Sequence, residues 1–127
     1  MSYGISKEVS LGFDETVERV RLELQKEGFG VLTEIDVKST LKNKLDVEFE
    51  DYLILGACNP PFAYKALQAE MEVGLLLPCN VIVYRKDNKT FVSAIDPVCA
   101  MSVVDNDKLE EIAQEVKIKL ERVINNF

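Results

Sequence analysis

Val81-Ile82-Val83-Tyr84 and Phe91-Val92-Ser93-Ala94-Ile95 are two apolar, β-branched and aromatic runs flanking Asp87-Asn88-Lys89. Runs of this composition favour strands. Asp and Asn tolerate the left-handed backbone that a tight hairpin needs, so the intervening residues read as its turn. A hairpin makes its strands antiparallel. This one therefore sets the chain apart from a wholly parallel, doubly wound sheet and points to the α+β class.

Upstream of the hairpin, Tyr52-Leu53-Ile54-Leu55-Gly56-Ala57-Cys58 is an unbroken apolar run of strand length. Asn59-Pro60-Pro61 follows, with Asn suited to an N-cap and proline accepted in a first helical turn. The predicted helix carries Phe62, Ala63, Ala66, Leu67, Ala69 and Met71, and Gly74 is expected to end it. Nearer the start, residues 2–10 read as a strand. Phe13, Val17, Val20 and Leu24 then mark an amphipathic helix, with Gly28 as its left-handed stop. Phe29 to Ile35 reads as a strand, and Asp36 as the cap of a short helix carrying Val37, Leu41 and Leu45. Pro97 is expected to end the second hairpin strand. The last helix holds Leu109, Ile112, Ala113, Val116, Leu120, Val123, Ile124 and Phe127 in register, with Asp107 and Glu110 as a capping box. The order is β-α-β-(α)-β-α-β-β-α: one layered α+β domain over residues 1–127, with about five mostly antiparallel strands and three main helices.

The 127 residues are 47% apolar and carry a net charge of -7, which excludes disorder and suits one domain with one sizeable core. With 22 acidic against 15 basic residues and no concentrated basic face, nucleic acid is not an expected partner. The most apolar stretch, Leu75 to Tyr84, is interrupted by Pro78 and Asn80 and is about half a membrane span, so no membrane association is expected. The N-terminus has no basic segment leading into an apolar run, so a cytoplasmic protein with reduced cysteines is expected. The sequence has no His. That removes Ser-His and Cys-His dyads, His-ligated metals and the usual general base near neutral pH.

The remaining chemistry centres on cysteine. Only 8 of the 53 residues from 52 to 104 are charged, and this segment holds Cys58, Cys79 and Cys99. Gly56-Ala57-Cys58-Asn59-Pro60 places a thiol at a strand-to-helix junction, where outward-pointing helix N–H groups favour a thiolate. Leu77-Pro78-Cys79-Asn80 repeats the pattern, a Cys-Asn pair beside proline at an element end. If the 52–58 and 79–84 strands are neighbours, Cys58 and Cys79 can approach each other. Cys58, Asn59, Cys79 and Asn80 are therefore the candidate ligand-binding residues, with Cys58 and Cys79 also candidate metal ligands. The chain has no C-x-x-C spacing, so neither a zinc-ribbon chelate nor a thioredoxin-like pair is recognisable. Buried packing cysteines remain the plainer alternative.

Taken in order, Gly28-Phe29-Gly30-Val31-Leu32, Glu34-Ile35-Asp36, Gly56-Ala57-Cys58-Asn59-Pro60, Gly74 to Val81 and Ile95-Asp96-Pro97 resemble the signature of the domain of unknown function 302 family. The resemblance spans nearly the whole chain. It implies a bacterial or archaeal α+β domain that forms a homodimer and has no established activity. The family's Cys-Asn-Pro and Leu-Pro-Cys elements fall on Cys58-Asn59-Pro60 and Leu77-Pro78-Cys79, and Cys99 has no counterpart. Three readings follow: a homodimeric module binding a small ligand or a metal ion near Cys58 and Cys79, an interaction domain with packing cysteines, and a thiol redox enzyme using Cys58.

Overall fold

The hairpin lies at the heart of the sheet in the computed structural model, which describes residues 2–127. Five strands, β1 (Gly4–Val9), β2 (Gly30–Asp36), β3 (Tyr52–Cys58), β4 (Cys79–Lys86) and β5 (Lys89–Ile95), form one sheet in the order β1-β5-β4-β3-β2. Every neighbouring pair is antiparallel. Asp87 and Asn88 make the β4–β5 turn at φ 53° and 62°, the left-handed geometry that a two-residue hairpin matched to strand twist demands. The expected α+β class and strand pairing are both present.

Helix α1 (Phe13–Lys26) and the long C-terminal helix α5 (Asp107–Asn125) cover one face of the sheet. Alternation along the strands sends Leu53, Leu55 and Ala57 of β3, Cys79, Val81 and Val83 of β4, and Val92 and Ala94 of β5 into that layer. There they meet Val17, Val20 and Leu24 of α1 and Val116, Leu120, Val123 and Ile124 of α5. Gly28, at φ 85°, ends α1 as expected and releases the chain into β2. A second, smaller core stands beside the first. It joins Ala66 of α3 (Pro60–Ala69), Val73 of a 3-10 segment (Met71–Leu76) and Met101 of α4 (Pro97–Met101) to Leu109 and Ala113 of α5. The short helix α2 (Val37–Leu45), capped by Asp36 through a bond from the Ser39 amide, has no buried residue and lies against β2 and β3.

Three local expectations are corrected. The helix after Cys58 stops at Ala69 rather than Gly74, because Glu70 is extended (φ -150°, ψ 105°) and the chain re-enters as 3-10 structure. The cap of the last helix is Asn106, whose side chain accepts from the Leu109 amide, and Asp107 lies one residue inside. Pro97 ends β5 but also opens α4, since Asp96 accepts from the Val98 and Cys99 amides and proline suits a first turn. No helix among the described residues is long and apolar enough to cross a membrane.

Candidate functional site

Between the two cores the packing is incomplete. A cavity of about 340 Å³ opens there, walled by β3 and the start of β4 on one side, α3 on another, and α4 and α5 behind. Phe29, Ala57 and Val116 of the larger core line it together with Ala66, Met101, Leu109 and Ala113 of the smaller one. The lining holds no charged side chain.

Its polar end is the Cys-Asn junction. β3 and β4 are neighbours, and Ala57 opposes Cys79 in register, so Cys58 lies one residue beyond that pair. Both cysteines line the cavity. Cys79 is buried, and desolvation pushes its thiol up to about 11, with the nearby Cys58 adding to the rise. At neutral pH Cys79 is therefore a protonated thiol, behaving as a small apolar group with a weak S–H donor. All three cysteines are free.

Asn59 also lines the cavity, but its role differs from the expected cap. It occupies the N-cap position of α3 with no side-chain bond to that helix. Its Nδ2 instead donates to the Glu27 carbonyl at 3.0 Å, tying the start of α3 to the end of α1. The side chain is buried and fits against Gly28, where an added Cβ would stand 3.2 Å from Nδ2. Asn80 is exposed and does not line the cavity: it follows Cys79 along β4, so strand alternation turns it to the other face. Cys99 is half-buried in α4 and is also absent from the lining, although Pro97 and Met101 on the same short helix are present. Asp96 is committed elsewhere. Burial raises its carboxyl, but the Lys117 ammonium 3.0 Å away and the α4 amides outweigh that effect and hold it below the usual carboxylate range.

No group of three His, Cys, Asp or Glu side chains converges to hold a metal among the described residues. Two sulfurs, one of them held as a thiol, are a poor donor set for zinc, which takes three or four protein ligands.

Two wall features escaped the sequence reading. A register shift between Val31 and Thr33 of β2 is a bulge, and it leaves Leu32 exposed at the cavity rim. Gly56 is closely overlaid: a Cβ there would collide with Thr33 Oγ1 and stand 2.8 Å from Pro78 Cγ. Thr33 and Pro78 both line the cavity, so the bare backbone at Gly56 lets two wall residues close over β3. An interior glycine in an apolar strand run signals such a close approach, but not which side chains make it.

The family model described as "Domain of unknown function DUF302" matches residues 5–127. The crystal structure of an uncharacterized conserved DUF302 protein from Bacillus stearothermophilus is similar over 98% of both chains, with a TM-score of 0.93 and 31% sequence identity. No curated protein matches. The chain belongs to the DUF302 family.

Proposed function

We propose that this domain is a binding module for a small apolar molecule, held in the cavity that ends at Cys58, Asn59 and Cys79. The observation that carries this reading is the lining: a cleft of about 340 Å³ walled by aliphatic and aromatic side chains, with a few thiol, amide and hydroxyl groups at one end. Ligand sites of this kind begin at roughly 300 Å³ and are mostly apolar with a small number of orienting polar groups. An engineered cavity of about 150 Å³ accepts benzene, so by proportion the occupant has on the order of a dozen non-hydrogen atoms. The protonated Cys79 favours an apolar occupant over a metal ion or a redox cycle. Three free cysteines suit the reducing cytoplasm as the place of action.

The test uses a neutral fluorescent probe of matching size, 1-naphthylamine, with the full chain and with Ala63→Phe, which places a ring into the cavity from α3. The expected result is saturable probe binding by the native chain. The variant should lose at least tenfold in affinity while its thermal transition stays within a few degrees. Absence of saturable binding by the native chain refutes the proposal.

A second surface supports a homodimer. On the sheet face turned away from α1 and α5, Tyr52, Tyr84 and Phe91 stack across three strands at centroid spacings of 5.4 and 5.1 Å, and Ile54 and Ile82 adjoin them. Phe49 extends the row at 6.3 Å from Tyr52 and is itself exposed. Half-buried aromatic ladders of this size suit contact with a second copy, for which about 800 Å² per partner is typical. Sedimentation at micromolar concentration is expected to give a dimer, and Ile82→Lys a monomer. A monomeric native chain removes this assignment without touching the cavity.

A further inference from the structure

Neither Lys65 nor Lys119 lines the cavity, but both flank the ring of one residue that does. Phe62 of α3 lines the cavity, and two ammonium groups converge on its ring: Lys65 Nζ at 5.5 Å from the centroid and Lys119 Nζ at 5.8 Å. They come from different helices, α3 and α5. Lys65 follows Phe62 by three residues, one turn of α3, and Lys119 follows the lining residue Val116 by three along α5. Neither lysine lies within ion-pairing distance of a carboxylate among the described residues. Lys44, Lys86 and Lys108 likewise have no carboxylate partner among the described residues, but Lys65 and Lys119 alone share an aromatic ring. Lys65 also shares a shallow surface depression with Lys108 and Glu111, so in a chain of net charge -7 one carboxylate and one further lysine stand near the two ammonium groups that flank this ring at the edge of an uncharged cleft. Cation–π attraction to Phe62 offsets part of their mutual repulsion. An anion placed between them would offset more.

We infer that the ligand is an anionic amphiphile: a single unbranched acyl chain of medium length lies in the cavity, with its carboxylate at the rim between Lys65 and Lys119. This rests on the apolar-ligand reading above and adds the headgroup and its two partners. The chain length follows from the volume. A ten-carbon monocarboxylate has twelve non-hydrogen atoms, in line with the dozen the cavity admits. The tail would run along Phe62, Ala63 and Ala66 of α3 toward the Cys58–Cys79 end, where the protonated Cys79 presents no charge to repel it.

Isothermal titration of the full chain with decanoate and, separately, with decanol distinguishes headgroup from tail. The native chain is expected to bind decanoate at least tenfold more tightly than decanol at low salt. Added salt should weaken decanoate binding and leave decanol binding unchanged, because exposed charge pairs are screened. Lys65→Met with Lys119→Met keeps the aliphatic stems and removes the charges. This double variant should lose about tenfold in decanoate affinity, with decanol unaffected as the control for an intact cavity. Equal affinity for the two molecules, or a double variant that binds decanoate as the native chain does, overturns the anionic assignment and leaves the apolar cavity standing. Failure of both molecules to bind overturns both readings together.

Discussion

Gly56→Ala is expected to lower stability by about 2–3 kcal/mol, the upper part of the roughly 1–3 kcal/mol usual for forcing an extra methyl into a closed site. The new Cβ collides with Thr33 Oγ1 and stands 2.8 Å from Pro78 Cγ, and neither neighbour is the free end of a long side chain. Relief requires β2 or the start of β4 to move, and both edges line the cavity. A thermal melt should show a drop of roughly 10 °C for a chain of this length. Probe binding should weaken in parallel, because the displaced residues are wall residues. Adding Thr33→Ala removes the hydroxyl that the methyl strikes and should restore part of the loss, leaving the Pro78 contact as the remainder. Independent addition of the two effects would show that the strain lies elsewhere.

Glu23→Gln is the second large expected effect, and its signature is a pH dependence. Glu23 is 1% exposed in α1, yet it accepts from Lys26 Nζ at 2.9 Å, Asn126 Nδ2 at 2.9 Å and Arg19 Nε at 3.1 Å. The Lys26 bond is the largest influence. It overcomes the opposing effect of burial and, with the other two donors, brings the carboxyl from 4.5 to about 2. A carboxylate depressed on folding contributes stability above its unfolded value. That contribution is lost as pH falls from about 4.5 through about 2. The full linkage figure for such a shift is about 3 kcal/mol. Arg19 and Lys26 are themselves solvated, at 44% and 65% exposed, so about 1–2 kcal/mol is the expected effect at neutral pH. Denaturant titrations should show the native chain ahead of Glu23→Gln by that margin at pH 7. The gap should narrow steadily toward pH 2, where about half of the native carboxyl is protonated. A gap that stays constant across this range would falsify the ion-cluster account.

The sheet was legible because its strands announce themselves chemically. The 81–95 hairpin has turn residues between β-formers, and β3 is an apolar run closed by Asn-Pro-Pro. Once those two segments pair, register sets Cys58 one residue beyond the Ala57–Cys79 pair, so that both thiols line one cavity. Asn59 holds the N-cap position that the sequence predicts, without the side-chain cap bond. An Asn before two prolines looks like a cap, and only the folded chain shows the Glu27 carbonyl competing for its side chain. Asn80 followed the Cys-Asn parallel with Cys58-Asn59, which breaks down because Asn80 belongs to a continuing strand and Asn59 ends one. The hydrophobic wall of the cavity was not legible at all. Ala63, Leu109, Ala113 and Val116 read as ordinary core positions, since helical periodicity distinguishes inside from outside but not filled from unfilled. The short helix α4 was hidden for a related reason: five residues are too few to show a period.

The division of the apolar interior into two clusters bears on how anything enters the space between them. Only α5 contributes buried residues to both, Leu109 and Ala113 to the smaller and Val116 through Ile124 to the larger. The smaller cluster has five buried members against sixteen and no strand among them, so α3, the 3-10 segment and α4 form the unit with least to lose on local opening. Amide hydrogen exchange is therefore expected to be faster in α3 and α4 than in β3 and β4, which makes the helical side of the cavity the wall that yields first.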